Sequence, residues 1–109
     1  MSAYAVAHMR QVTMGQAIVE YLQRIDATLA PFGGQFIVHG GEVEVQEGSW
    51  PGHLIVIKFP DRDRARAWYN SDAYQEILVL RTDNSQSDVI VVDGVGSGHR
   101  ATDVLDASR

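Results

Sequence analysis

The chain opens on alternation. Residues 3–10, AYAVAHMR, put Tyr4, Val6 and His8 on one parity and Ala5, Ala7 and Met9 on the other, the period of two that a β-strand requires. Both parities are mostly apolar, so this strand is expected to be covered on both faces. The period then lengthens. Ile18, Tyr21, Leu22, Ile25, Leu29 and Phe32 recur at helical intervals and predict a helix over about residues 14–30. Thr13 with Gln16 has capping-box spacing, Glu20 and Arg24 lie four apart on the opposite face, and Gly33 with Gly34 supplies the stop.

Residues 35–39 predict a second strand, with Phe36 and Val38 facing one way and Ile37 the other. Gly40 and Gly41 interrupt it as a bulge or bend, after which Val43 and Val45 alternate with Glu42, Glu44 and Gln46 in a half-exposed continuation. The loop EGSWPG leads into residues 53–59, where Leu54, Ile55, Val56 and Ile57 are apolar at both parities, as in a central strand. Asp61 is placed to cap a short helix carrying Ala65, Trp68 and Tyr69. Ser71 or Asp72 caps another, in which Tyr74, Ile77, Leu78 and Arg81 share one stripe. After the polar turn TDNSQS, residues 88–93 predict a fourth strand, Val89 and Val91 opposed to Ile90 and Val92, closed by Gly94. These elements make one domain over residues 1–94. Residues 95–109, small, polar and rich in Gly and Ser, predict a mobile tail with at most a helical turn near Val104 and Leu105.

The order strand, helix, strand, strand, helix, strand is that of a split βαβ unit, an α+β fold with an antiparallel sheet and both helices on one face. The other face is left uncovered. With the first, third and fourth strands apolar at both parities, it would present several hundred Å² of apolar surface, more than a monomer usually shows. A twofold homodimer packing sheet against sheet is the expected remedy.

Composition narrows the function. A formal net charge of −5 lacks the clustered cations that displace counterions from phosphates, so no nucleic-acid partner is expected. The absence of cysteine excludes disulfides, thiolate catalysis and Cys-ligated zinc. No basic leader and no run of transmembrane length is present, so no membrane partner is expected and the cytoplasm is the expected compartment. The histidines show no HxH or HxxxH spacing, and no nucleotide fingerprint occurs, so neither metal nor cofactor is expected.

Candidate chemistry falls on a few side chains. His8, near the end of the first strand, is either a hydrogen-bonded strand-end histidine or a proton donor and acceptor, and His39 and His53 share that ambiguity. Trp68 fits the core; Tyr69 and Tyr74 fit either core or pocket wall. Arg81 continues an apolar stripe and needs an anionic partner there, either a ligand carboxylate or Asp83, Asp88 or an acid of another subunit. Trp50, in a Pro/Gly loop, reads as a lid or a dimer contact.

The segment GGQFIVHGGEVEVQEGSWPG, followed by the spacing FP…RARAWYNSDAYQ…LR, resembles the family known as the domain of unknown function thirteen-thirty, over about residues 3–94. The resemblance implies a ferredoxin-like βαββαβ fold of the dimeric α/β-barrel superfamily and a homodimer. It departs at His39, where members of the family commonly carry arginine. Other branches of that superfamily include cofactor-independent monooxygenases and muconolactone isomerases. Two readings of function therefore stand. One is a cofactor-independent enzyme, monooxygenase-like or isomerase-like, acting on a small polar or aromatic molecule. The other is a non-catalytic dimeric module that binds a small molecule or another protein. For a bound ligand the expected site has Arg81 as its charge, Tyr69 and Tyr74 as its wall, His8 as its titrating catalytic group, and Trp50 or His39 at the rim.

Overall fold

The computed structural model describes residues 1–107; the end of the expected tail, residues 108–109, lies outside them. The elements are β1 (Ala3–Val12), α1 (Gln16–Leu29), a 3-10 turn (Ala30–Phe32), β2 (Gln35–His39), β3 (His53–Phe59), α2 (Arg62–Tyr69), α3 (Asp72–Thr82), β4 (Ser85–Asp93) and α4 (Asp103–Ala107). The four strands form one sheet in the order β2-β3-β1-β4, every neighbouring pair antiparallel. This is the βαββαβ arrangement expected from the sequence.

Local chemistry explains most element ends. Asp61 caps α2 by accepting from the Arg64 amide at 2.8 Å, and Ser71 caps α3 by accepting from the Tyr74 amide at 3.2 Å. Gly33 stops the first helical stretch with φ 71°, a left-handed conformation that costs glycine nothing. At the start of α1 the structure departs from expectation. Gly15 is the N-cap and no side chain caps it, because the Thr13 amide is drawn instead to the Asn84 carbonyl at 2.8 Å, keeping residue 13 extended beside β4.

The sheet corrects three strand boundaries. A register shift after Met9 lets β1 run on to Val12, opposite Ser85, so Ser85 and Ser87 are strand residues and not part of the turn. A second shift lies between Phe36 and Val38. It pairs Phe36 with Ile57 but Val38 with Val56 and His39 with Ile55, so Phe36 and His39 share the helix-facing side and Val38 does not. Residues 42–46 form no strand, since Gly40 (φ 69°) turns the chain out of the sheet and β3 begins only at His53, leaving them nothing to pair with.

The core lies between the sheet and the helices. Ala5, Ile57 and Phe59 meet Tyr21, Ile25 and Leu29 of α1, Ala65 and Trp68 of α2, and Tyr74 and Ile77 of α3. Trp68, 2% exposed, packs at 4.1 Å between ring centroids on Tyr74, and its indole N–H donates to Thr28 Oγ1 at 3.0 Å. Thr28 in turn donates to the Ile25 carbonyl, so a buried hydroxyl is satisfied on both counts. Fully burying one such apolar side chain contributes ~1.5–3 kcal/mol.

The opposite face of the sheet has no covering layer. Register places Tyr4, Val6 and His8 beside Val92, Ile90 and Asp88 on one flank and Lys58, Val56 and Leu54 on the other. Ile90 and Val92 stay 56% and 42% exposed, too large an apolar loss for a strand whose only neighbour is water. Residues 95–105 are exposed, and α4 supplies the helical turn expected near Val104. No helix among the described residues is long and apolar enough to cross a membrane.

Candidate functional site

A cavity of about 370 Å³ lies between α1 and the helix-facing side of the sheet. Ala5 and Ala7 keep the β1 floor low beside Met9, where bulkier strand residues would fill the space, while α1 stands off on Ile18, Tyr21 and Ile25. Trp68, Tyr74 and Arg81 close its inner end. Its walls are overwhelmingly apolar, so the few polar groups that reach it carry the recognition.

Three of those polar groups form one cluster. The Tyr21 and Tyr74 hydroxyls are 2.8 Å apart, buried, with rings edge to face at 6.2 Å. Burial pushes the Tyr21 phenol up, the neighbouring Tyr74 adds to that, and Arg81 works against it. For Arg81 the opposing causes are burial, which disfavours its charge, and the Tyr74 and Tyr21 phenols, which outweigh burial and hold the guanidinium protonated. Arg81 is only 5% exposed. Its Nη1 donates to Ser87 Oγ at 2.7 Å, and among the described residues no carboxylate pairs with it. Asp88 is taken by Arg10 at 3.4 Å, and Asp83 makes no ion pair within the described residues.

A proton count follows. Of the two phenol protons one lies in the Tyr21–Tyr74 bond, and the other has no acceptor among the described residues. The inner end of the cavity thus presents donors, a phenol O–H and guanidinium N–H groups, and no acidic acceptor. An anionic oxygen is the complementary group.

The residues singled out from sequence divide in space. Tyr74 and Arg81 line the inner end, and His39 reaches the rim. The β2 register shift turns its ring inward onto Phe36, stacked at 4.3 Å. His8 points the other way. On the uncovered face it stacks on Trp50 at 4.1 Å and donates from Nε2 to the Pro51 carbonyl at 2.7 Å, so His8 and Trp50 make a cluster of their own. Tyr69 lines a separate chamber behind Arg81, shared with Thr82, Ser85 and Ser87. Sequence reasoning missed Tyr21 and the two serines. The signals were present: a phenol on the apolar stripe of α1 needs a buried partner, and S-Q-S before an alternating strand has the period of that strand. Among the described residues no group of three or more His, Cys, Asp or Glu could hold a metal ion.

The family described as Domain of unknown function (DUF1330) matches residues 2–95, the whole sheet, α1 to α3 and the cavity they enclose. The chain belongs to this family. No curated protein matches the DUF1330 chain. Among solved structures it is similar to methylated RPA0582, a protein of unknown function from Rhodopseudomonas palustris, at 14% identity and TM-score 0.63, covering 90% of this chain and 84% of that one. A dimeric ferredoxin-like protein of unknown function from Jannaschia sp. CCS1 aligns at 10% identity and TM-score 0.60, covering 86% of this chain and 100% of that one. A variant of SnoaB, a cofactor-independent oxygenase from Streptomyces nogalater, aligns at 10% identity and TM-score 0.58, covering 91% and 98%. At these identities the likeness is one of fold, and it fixes this DUF1330 chain as ferredoxin-like.

Proposed function

We propose that this protein is a homodimer that binds, in the cavity between α1 and the sheet, a compact and largely apolar molecule bearing a carboxylate or other anionic oxygen. The observation that carries this reading is Arg81, a buried guanidinium at the cavity's inner end with two phenols and a serine around it and no acid among the described residues. An unpaired buried cation is expensive, and an anionic ligand offsets that expense where no acidic side chain does. The homodimer reading rests on the uncovered apolar face and on the description of fold relatives from Jannaschia sp. and Thermobifida fusca as dimeric.

A catalytic role is the finer reading. Donors aimed at an oxyanion in a dry site stabilise an enolate or phenolate, the kind of charge that develops when a small aromatic or carbonyl compound loses a proton. SnoaB, with the same fold, is described as a cofactor-independent oxygenase, which supports such chemistry on this scaffold without assigning it here. His8 does not line the cavity whereas His39 and His53 do, so a proton-transfer role here falls to His39 or His53 at the rim.

Native mass spectrometry of the purified protein tests the binding reading through any co-purifying molecule, and calorimetry with 2-naphthoate as an apolar carboxylate probe tests it directly. Arg81→Met should weaken naphthoate by at least about tenfold with the fold intact by circular dichroism. Undiminished affinity in that variant would remove Arg81 from the site and leave the interaction-module reading in its place.

A further inference from the structure

Arg81 is a wall between two spaces. Behind it, away from the apolar cavity, lies a second chamber of about 280 Å³ lined by Tyr69, Arg81, Thr82, Ser85, Ser87 and Val89. The contrast in lining is sharp: every residue but Val89 carries a hydroxyl or the guanidinium. Ser85 and Ser87 occupy helix-facing positions of β4, in line with Val89 and Val91 further along, where the alternation calls for another pair of β-branched apolar residues. Serine at those two positions removes bulk and adds hydroxyls, and the chamber is the space so opened.

We propose that this chamber is a binding site for a small hydrophilic oxyanion, a carboxylate or an inorganic tetrahedral anion, held by Arg81 with Ser87 and Thr82. Donors dominate it. Ser87 Oγ accepts from Arg81 Nη1 at 2.7 Å, which leaves its proton either to Ser85, 3.4 Å away, or to an occupant. The Thr82 and Tyr69 side-chain hydroxyls have no partner among the described residues. The chamber sits beside the C-terminal turn of α3, whose carbonyl end would ordinarily repel an anion. Three of those carbonyls are already occupied: Val79 O accepts from the Asp83 amide, Leu80 O from Asn84 Nδ2, and Arg81 O from both the Asn84 amide and Ser85 Oγ. No carboxylate lines the chamber either. The side chains that line it bring one guanidinium and four hydroxyls.

The site shares Arg81 and Val89 with the apolar cavity, while Tyr69, Thr82, Ser85 and Ser87 belong to it alone, so substitutions at Thr82 and Ser87 separate the two. Inorganic phosphate and acetate are titrated at constant ionic strength into 15N-labelled protein, following the amides of residues 85–89 and the Arg81 Nε–H. Saturable shifts there with either anion, weakened at least threefold by Thr82→Val and lost in Ser87→Val, support the proposal; response to phosphate alone assigns a tetrahedral occupant and to acetate alone a carboxylate. Thr82 is exposed and its valine is nearly isosteric, so that variant decides the matter should Ser87→Val fail to fold. Naphthoate affinity should be unchanged in Thr82→Val, which separates this site from the cavity. No saturable shift, shifts confined to Arg62, Arg64 and Arg66 on α2, or equal affinity in Thr82→Val would overturn it.

Discussion

The hydroxyls of Tyr21 on α1 and Tyr74 on α3, 53 positions apart in sequence, meet at 2.8 Å in the interior and join the two longest helices at the inner end of the cavity. Arg24 reinforces the same junction from outside, pairing with Glu20 at 3.0 Å and Glu76 at 3.4 Å, although exposed pairs of this kind contribute little. The phenol pair is therefore both a structural clasp and part of the proposed site.

As a clasp it should behave as one interaction. Tyr21→Phe and Tyr74→Phe should each destabilise the protein by about 1 kcal/mol, and the double variant by little more than either single one, because the bond is lost only once. Urea unfolding of the four proteins closes the cycle. Strict additivity would mean that the hydroxyls act separately.

The same pair predicts an alkaline limit. Tyr21 has its folded-state pKa raised above the ordinary 10.0, chiefly by burial and then by Tyr74. Its neutral form is the one the fold favours, so its contribution is whole below pH 10 and is lost as the pH rises above that value. Titrating tyrosinate absorbance should show fewer than four of the four tyrosines ionising before the protein unfolds. Reversible ionisation of all four near pH 10 in a protein still folded by circular dichroism would contradict the burial argument.

The uncovered face predicts its own behaviour. Ile90 is 56% exposed in the single chain, so Ile90→Glu should leave the fold nearly untouched while placing a charge in the proposed sheet-to-sheet contact. Sedimentation equilibrium at micromolar concentration should give twice 12.0 kDa for the native chain and 12.0 kDa for the variant. A native chain that sediments at 12.0 kDa leaves the face without a second copy.

Removal of residues 96–109 should change little. Those described are exposed to residue 105, and deleting the segment should lower Tm by less than about 5 °C, which for a domain of this size is on the order of 1 kcal/mol. A larger drop would mean that the segment docks on the body or across the dimer.

How much of this was legible beforehand depends on whether a residue's place is set locally. The cap Asp61, a cap at Ser71 or Asp72 that the structure assigns to Ser71, the stop at Gly33, the stripe of Tyr74, Ile77 and Arg81, and the order of elements all follow from periodicities and side-chain chemistry within a turn or two of chain. The uncovered apolar face followed too, because alternation fixes which residues share a side. Gly52 was read only as a loop glycine. In the fold it lies at φ 82° against the backbone of Met9 and Arg10, so a side chain there would collide with β1.

By itself, then, the sequence determined the βαββαβ order, the helix faces and the place of Arg81 on a buried apolar stripe. Tertiary structure alone decided where the chemistry gathers. One register shift in β2 turns His39 toward the cavity, whereas unbroken parity leaves His8 on the opposite face with Trp50. Another in β1 carries the ladder on to Ser85 and builds the chamber behind Arg81. The physical reason is that strand parity is a local rule, while register is set by the neighbouring strand; one extra residue between paired strands reverses every side chain beyond it.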